Sequence, residues 1–143
     1  MYKKILLPTD GSKFSDKSEE HALFLAELMG SEIIGLSVID MKFFSGLPAN
    51  DTIYEINKIL KEESEKNLER FENIKKEKNS DVKIRTIAVE GYPADAILEV
   101  AEKEDVDLIV IGSSGKTGLQ KFLMGSVAEK VIKTAKCNVL VIH

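Results

Sequence analysis

Cysteine is almost absent: Cys137 is the only one among 143 residues. No intramolecular disulfide and no thiolate metal cluster can form, which suits a reducing compartment. No apolar run approaches the roughly 20 residues that a membrane span requires. The opening MYKKILLPTDGS has only Ile5, Leu6 and Leu7 between its lysines and Pro8, too few for a signal-peptide core. The expected location is the cytoplasm, away from any membrane. Arginine is scarce too, with only Arg70 and Arg85, so no arginine finger for phosphoryl transfer is evident. The formal charge of −4 and pI of about 5.3 exclude global attraction to a nucleic-acid backbone or an anionic surface. Any polyanion must be recognised locally.

What remains is an ordinary globular composition, 43% hydrophobic and 31% charged, at a length expected to form one domain over residues 1–143. The pattern alternates strand and helix from end to end. Residues 4–9 are a short apolar run closed by the turn-like Asp10, Gly11 and Ser12. Across 15–29, Ala22, Leu25, Ala26 and Met29 recur at helical spacing, and Gly30 is a stop signal. Residues 32–39 predict a second strand, 41–51 a loop and 52–78 a long helix. Ile53, Ile56, Leu60, Leu68, Phe71 and Ile74 mark the expected buried stripe of that helix, with a solvated Lys/Glu face opposite. Residues 82–90 alternate as a strand with Val82, Ile84, Thr86 and Ala88 on one face.

Pro93 suits the first turn of the next helix, which carries Ala94, Ile97, Leu98 and Ala101. The nearly all-apolar 106–111 fits a central parallel strand covered on both faces. A helix over 126–135 and a strand over 138–142 complete the chain. Five strands joined by helical crossovers predict an α/β fold with a parallel sheet and helices on both faces. In such sheets ligands sit beyond the carboxyl ends of the strands, where strand order reverses.

The most unusual chemistry at those ends is Gly112-Ser-Ser-Gly115-Lys116-Thr-Gly118, which returns through Gly125-Ser126 into a helix. Glycines let backbone N–H groups approach and cradle an anion, and the helix start adds free donors and a positive dipole end. Lys116 adds a mobile positive charge. The run GSSGKT is not a Walker A loop, because that motif needs a glycine at position 110, which is Val110. The dinucleotide fingerprint is also missing after the first strand.

The spacing that is present, Gly112-x2-Gly115-x9-Gly125-Ser126, resembles the nucleotide-binding signature of the ATP-binding branch of the universal stress protein family. The opening KKILLPTDGS, the VID after the second strand, VDLIVIGSSGKTGL and the closing GSVAEKVIKTAKCNVLVIH resemble family segments in family order, so the likeness covers essentially the whole chain. It implies a Rossmann-like sheet of the adenine nucleotide alpha hydrolase type, strand order 3-2-1-4-5. It also implies ATP, and Mg2+ (or Mn2+) is expected because such an ion rides in on phosphates with few protein ligands. Carried over by position, Pro8, Thr9 and Asp10 would line the adenosine side, Asp10 near the ribose and the metal. Val38 would offer backbone contacts to adenine, and Ile111 would lie beside the ribose or base. Gly112, Gly115, Gly125 and Ser126 would hold phosphates, with Val127 donating its N–H. The family also implies a homodimer through the last strand, where Val139, Leu140, Val141 and Ile142 form an uncharged edge that a twofold mate would cover.

Simpler readings compete at single positions. Asp10 can hydrogen-bond its own turn. Ser126 with Glu129 reads as a capping box that satisfies the helix start without a ligand. Gly118 and Gly125 can be loop punctuation and Lys116 a solvated charge, while His21 and Cys137 read as structural residues. The expected function is a nucleotide-dependent signalling or binding module, with slow ATP hydrolysis left open. The alternatives are a nucleotide-free or AMP-binding dimeric interaction module, and an ATPase or phosphotransferase.

Overall fold

The computed structural model describes residues 1–114 and 123–143. Among these the chain runs β1 (Lys4–Pro8), α1 (Lys13–Met29), β2 (Glu32–Asp40), a 3-10 turn (Met41–Phe44) and α2 (Asp51–Glu77). It continues through β3 (Ile84–Gly91), α3 (Pro93–Lys103), β4 (Leu108–Gly112), α4 (Ser126–Thr134) and β5 (Asn138–Ile142). The sheet order is β3-β2-β1-β4-β5 and every pairing is parallel, as the alternation of elements and the resemblance led us to expect.

β1 sits between β2 and β4, and Ile5, Leu6 and Leu7 are fully buried. Leu6 points into a core shared with α3 and α4 through Ile97, Val100 and Val131. Ile5 and Leu7 point into the opposite core with Leu23, Ala26 and Phe71. Thus α1 and α2 cover one face and α3 and α4 the other. At the amino edge, the Asp107 carboxylate accepts hydrogen bonds from the Lys3 and Lys4 N–H groups, both at 2.8 Å, and pins β1 to the entrance of β4. Those two donors hold its carboxyl below the usual carboxylate range.

Two expectations are corrected. On α2 the buried residues are Ser64, Leu68 and Phe71, with Ile74 packed against them. Ile56 is 40% exposed, and Ile53 and Leu60 are only half-buried. The cause is length: 27 residues of helix span about 40 Å at 1.5 Å per residue. The nine-residue β2 reaches only about 30 Å, so the first turns of α2 overhang the sheet. On β3 both faces are used. Ile84 packs toward α1 and α2 while Ile87 and Val89 pack toward α3, and Ala88 is exposed.

Gly35 on β2 explains how closely α2 approaches. A Cβ there would stand 3.3 Å from the Phe71 ring, tighter than ordinary packing. Phe71→Ala leaves a cavity that this rigid sheet surface cannot close. We expect it to cost about 3–5 kcal/mol in urea denaturation with an unchanged m-value; a loss below about 1 kcal/mol would show that Phe71 does not hold α2 to the sheet.

Candidate functional site

Strand order reverses at β1, because the chain leaves it toward β2 and later returns on its other side as β4. The carboxyl ends of these two strands therefore diverge into a crevice. Leu6 pairs with Ile109, and continuing that register brings Pro8 level with Ile111. On the other side Pro8 pairs with Leu36, and the Thr9 N–H donates to the Leu36 carbonyl at 2.8 Å. β1 ends there while β2 runs on to Asp40. By the two-residue alternation of a strand, the Val38 N–H and C=O point to the same side as the Leu36 carbonyl, past the end of β1 and into the crevice.

The glycine segment leaves and re-enters at this point. Ser113 N–H donates to the Ile142 carbonyl at 2.8 Å, and Gly125 N–H donates to the Ser113 carbonyl at 2.7 Å. Gly112 and the start of α4 are thereby held side by side, although 12 residues separate Gly112 from Gly125. Gly125, not Ser126, is the N-cap, and no side chain caps the helix. The Glu129 carboxylate pairs with Lys133 instead of reaching back, and Lys133 lowers its pKa. The expected capping box is therefore absent, because helix entry one residue earlier puts Ser126 at the first helical position. Uncapped first-turn N–H groups at a helix start are what an anion engages.

Across the crevice, Asp10 makes the expected turn contact: its Oδ1 accepts from the Ser12 N–H at 2.9 Å. Gly11 is left-handed, φ 73°, which favours glycine. α1 begins behind this loop with Ser12 as N-cap and no side-chain cap bond. Beneath the loop lies a cluster that no sequence pattern signalled. Thr9 is 5% exposed, and its hydroxyl donates to Glu19 Oε1 at 2.7 Å. Glu19 is fully buried, and Arg70 of α2 reaches it at 3.3 Å and Asp16 at 2.7 Å. Burial pushes the Glu19 carboxyl above its ordinary range, the Thr9 hydroxyl and Arg70 pull it down, and the Asp16 charge adds to the rise. An acidic residue at position 19 followed by an arginine some fifty residues on carries no recognisable spacing, so only tertiary contact discloses this group.

Among the expected site residues, Pro8, Thr9, Asp10, Val38, Ile111, Gly112, Gly125, Ser126 and Val127 all fall at this edge. They present different atoms. Thr9 turns its hydroxyl inward and shapes the loop. Ile111 and Val127 bury their side chains in the core with α3 and α4, so what they present to the edge is backbone. Ser126 is exposed. Gly115 and Lys116 lie outside the described residues. A cavity of about 410 Å3 opens at the opposite, amino edge, between Leu98, Val106 and Cys137. Burial there raises the Cys137 thiol pKa, and no helix start faces it. No helix among the described residues is long and apolar enough to cross a membrane.

This is a doubly wound parallel α/β protein with two helix starts that lack side-chain caps at its switch point. The universal stress protein family model matches residues 1–143, and the chain belongs to that family. It is 46% identical over 142 residues to Universal stress protein MJ0531 of Methanocaldococcus jannaschii, covering 99% of this chain and 82% of the relative. The solved structure of MJ0577 from the same organism superposes with a TM-score of 0.81 at 39% identity, covering 99% of this chain and 96% of that one. A universal stress protein from Archaeoglobus fulgidus, solved in complex with dAMP, shares the fold at a TM-score of 0.63 and 21% identity, covering 99% and 98%.

The raised Glu19 carboxyl sets a pH dependence. A folded-state value above the ordinary 4.5 favours the protonated form in the folded chain. That contribution is complete below about pH 4.5 and is lost as pH rises through the raised value. In urea denaturations from pH 4.5 to 7.5, the wild type should lose stability relative to Glu19→Gln as pH increases. A constant difference, or the opposite trend, would show that burial does not dominate at Glu19.

Proposed function

We propose that this chain binds ATP in the crevice between β1 and β4, and that occupancy stabilises a state which a partner reads. The observation that carries this is the Ser113–Gly125 closure, which sets the glycine at the end of β4 beside the uncapped start of α4. On this reading the phosphates lie against the Gly112, Gly125, Ser126 and Val127 backbone, with Gly115 and Lys116 completing the cradle. Adenine meets the Val38 backbone beyond the end of β1, and Asp10 faces the ribose. The donor set fits a nucleotide, since backbone N–H groups at a helix start suit phosphate oxygens and main-chain groups suit a base edge. The dAMP held by the A. fulgidus protein is an adenine nucleotide on the same fold.

Among the described residues no group of three His, Cys, Asp or Glu side chains can hold a metal. A Mg2+ or Mn2+ ion would therefore ride on the phosphate oxygens, with Asp10 the carboxylate the β1–α1 loop supplies. A ligand at a hundredfold excess over its Kd adds about 2.7 kcal/mol to the folded state, enough for a slow occupancy-dependent switch.

Protein freshly purified, denatured and assayed by mass spectrometry should release ATP, or ATP with ADP. Empty protein that also ignores added Mg-ATP in calorimetry would refute the reading and leave a nucleotide-free interaction module. Asp10→Ala should weaken Mg-ATP by about tenfold to a hundredfold, the loss expected for a hydrogen bond involving a charged group. Unchanged affinity would remove Asp10 from the site. The same reading includes a homodimer through β5, an edge strand whose Val139, Leu140 and Val141 are only half-buried. Light scattering at micromolar concentration should return twice the 15.9 kDa chain mass; a mass near one chain would exclude this assembly.

A further inference from the structure

The β1–α1 loop is held from behind by α2. Asn67 of α2 donates through Nδ2 to the Asp10 carbonyl at 3.3 Å. The same side chain fills the space beside Gly11, where an added Cβ would stand 2.1 Å from Asn67 Oδ1. A second connection runs in parallel. Gly11 N–H approaches the Thr9 hydroxyl oxygen at 3.4 Å, that hydroxyl donates to Glu19, and Arg70, one helical turn from Asn67, holds Glu19 and Asp16 together. Asn67 of α2 thus meets the loop directly, and Arg70 is linked to it through Glu19 and the Thr9 hydroxyl.

The geometry points to Asn67 and Arg70 as positioning residues that set the Asp10–Gly11–Ser12 conformation, and with it the affinity of the nucleotide site. This rests on the nucleotide-binding reading given above. Packing alone does not require these residue types. Leu68 and Phe71 already hold α2 on the sheet through buried apolar surface, and Asn67 and Arg70 remain partly exposed. What Asn67 supplies is a donor for one loop carbonyl and a volume limit at Gly11. The two are coupled: a side chain at position 11 forces the Asn67 amide aside, and moving that amide breaks its bond to Asp10. The left-handed Gly11 therefore answers to two demands, its own φ and the room Asn67 leaves. α2 thus fixes the loop through residues 67–70, while its first turns overhang the sheet.

The test is a double-mutant cycle with two readouts. Mg-ATP is titrated by calorimetry into the wild type, Asn67→Ala, Gly11→Ala and the double variant. Amide hydrogen exchange at residues 11 and 12 is followed in each without nucleotide, and urea midpoints establish that each variant is folded. Asn67→Ala should weaken Mg-ATP by about tenfold and speed exchange at the Gly11 and Ser12 amides, with β4 amides unaffected. The double variant should lose less affinity than the two singles combined, because removing the Asn67 amide makes room for the new methyl. Arg70→Lys, which keeps the charge but not the two-pronged contact, should fall between the wild type and Arg70→Ala. If the wild type binds Mg-ATP and Asn67→Ala binds it equally well, the positioning role is wrong while the nucleotide reading stands. If the wild type binds no nucleotide, the functional reading fails by itself. Loop exchange then decides: rates unchanged in Asn67→Ala overturn this inference as well.

Discussion

β1 is hydrogen-bonded along both edges and buried on both faces, and the other elements are arranged around that strand. Its three core residues alternate between two apolar layers, Leu6 into one and Ile5 and Leu7 into the other. A strand so placed leaves the chain no solvent-facing side to build on. β2 and β3 extend the sheet one way with α1 and α2 on one face, and β4 and β5 extend it the other way with α3 and α4 opposite. Right-handed crossovers make this division obligatory once the order is set. The reversal at β1 parts the β1–α1 and β4–α4 connections, and both helices begin there without side-chain caps. The crevice is thus a consequence of the topology, and Gly112 and Gly125 fall at the edge the sheet had already made.

Among the described residues, Glu19 under the β1–α1 loop is the only charged side chain that is buried. A carboxylate with no solvent exposure is expensive unless paired. Glu19 is paired only in part: Thr9 and Arg70 serve Oε1, whereas Oε2 has no hydrogen-bond partner among the described residues. An apolar residue at position 19 would pack more cheaply against the same core. The carboxyl group ties together three segments, the end of β1, the first turns of α1 and the middle of α2.

Legibility in the sequence followed local periodicity. The 4–9 run, the 106–111 run and the 126–135 pattern were readable because each carries one unbroken apolar signal over a single element. The overhang of α2 was not, since Ile53, Ile56 and Leu60 repeat at the same spacing as the buried Leu68 and Phe71. Helical periodicity records which residues share a face, and it cannot record where the facing sheet ends. β3 failed for a related reason: a strand covered on both faces has two apolar sets, and choosing Val82, Ile84, Thr86 and Ala88 left out Ile87 and Val89. At the carboxyl edge, the placement of Pro8, Thr9, Asp10, Gly112 and Gly125 was legible because each lies at the end of a readable strand or the start of a readable helix. The capping box was misleading, because Ser126 and Glu129 have the right separation but the helix starts one residue too early to use it.

By itself the sequence determined the element order, the parallel α/β class and the family. All of these depend on signals confined to a few neighbouring residues or on a spacing within one loop. Tertiary structure alone decided that Ser113 closes onto Gly125, that the Thr9 hydroxyl turns inward, and that Asn67 reaches Asp10 and Arg70 reaches Glu19 across more than fifty residues of chain. Those contacts join segments whose separation in sequence carries no periodicity, so they exist only once two helices have settled on one face of the sheet.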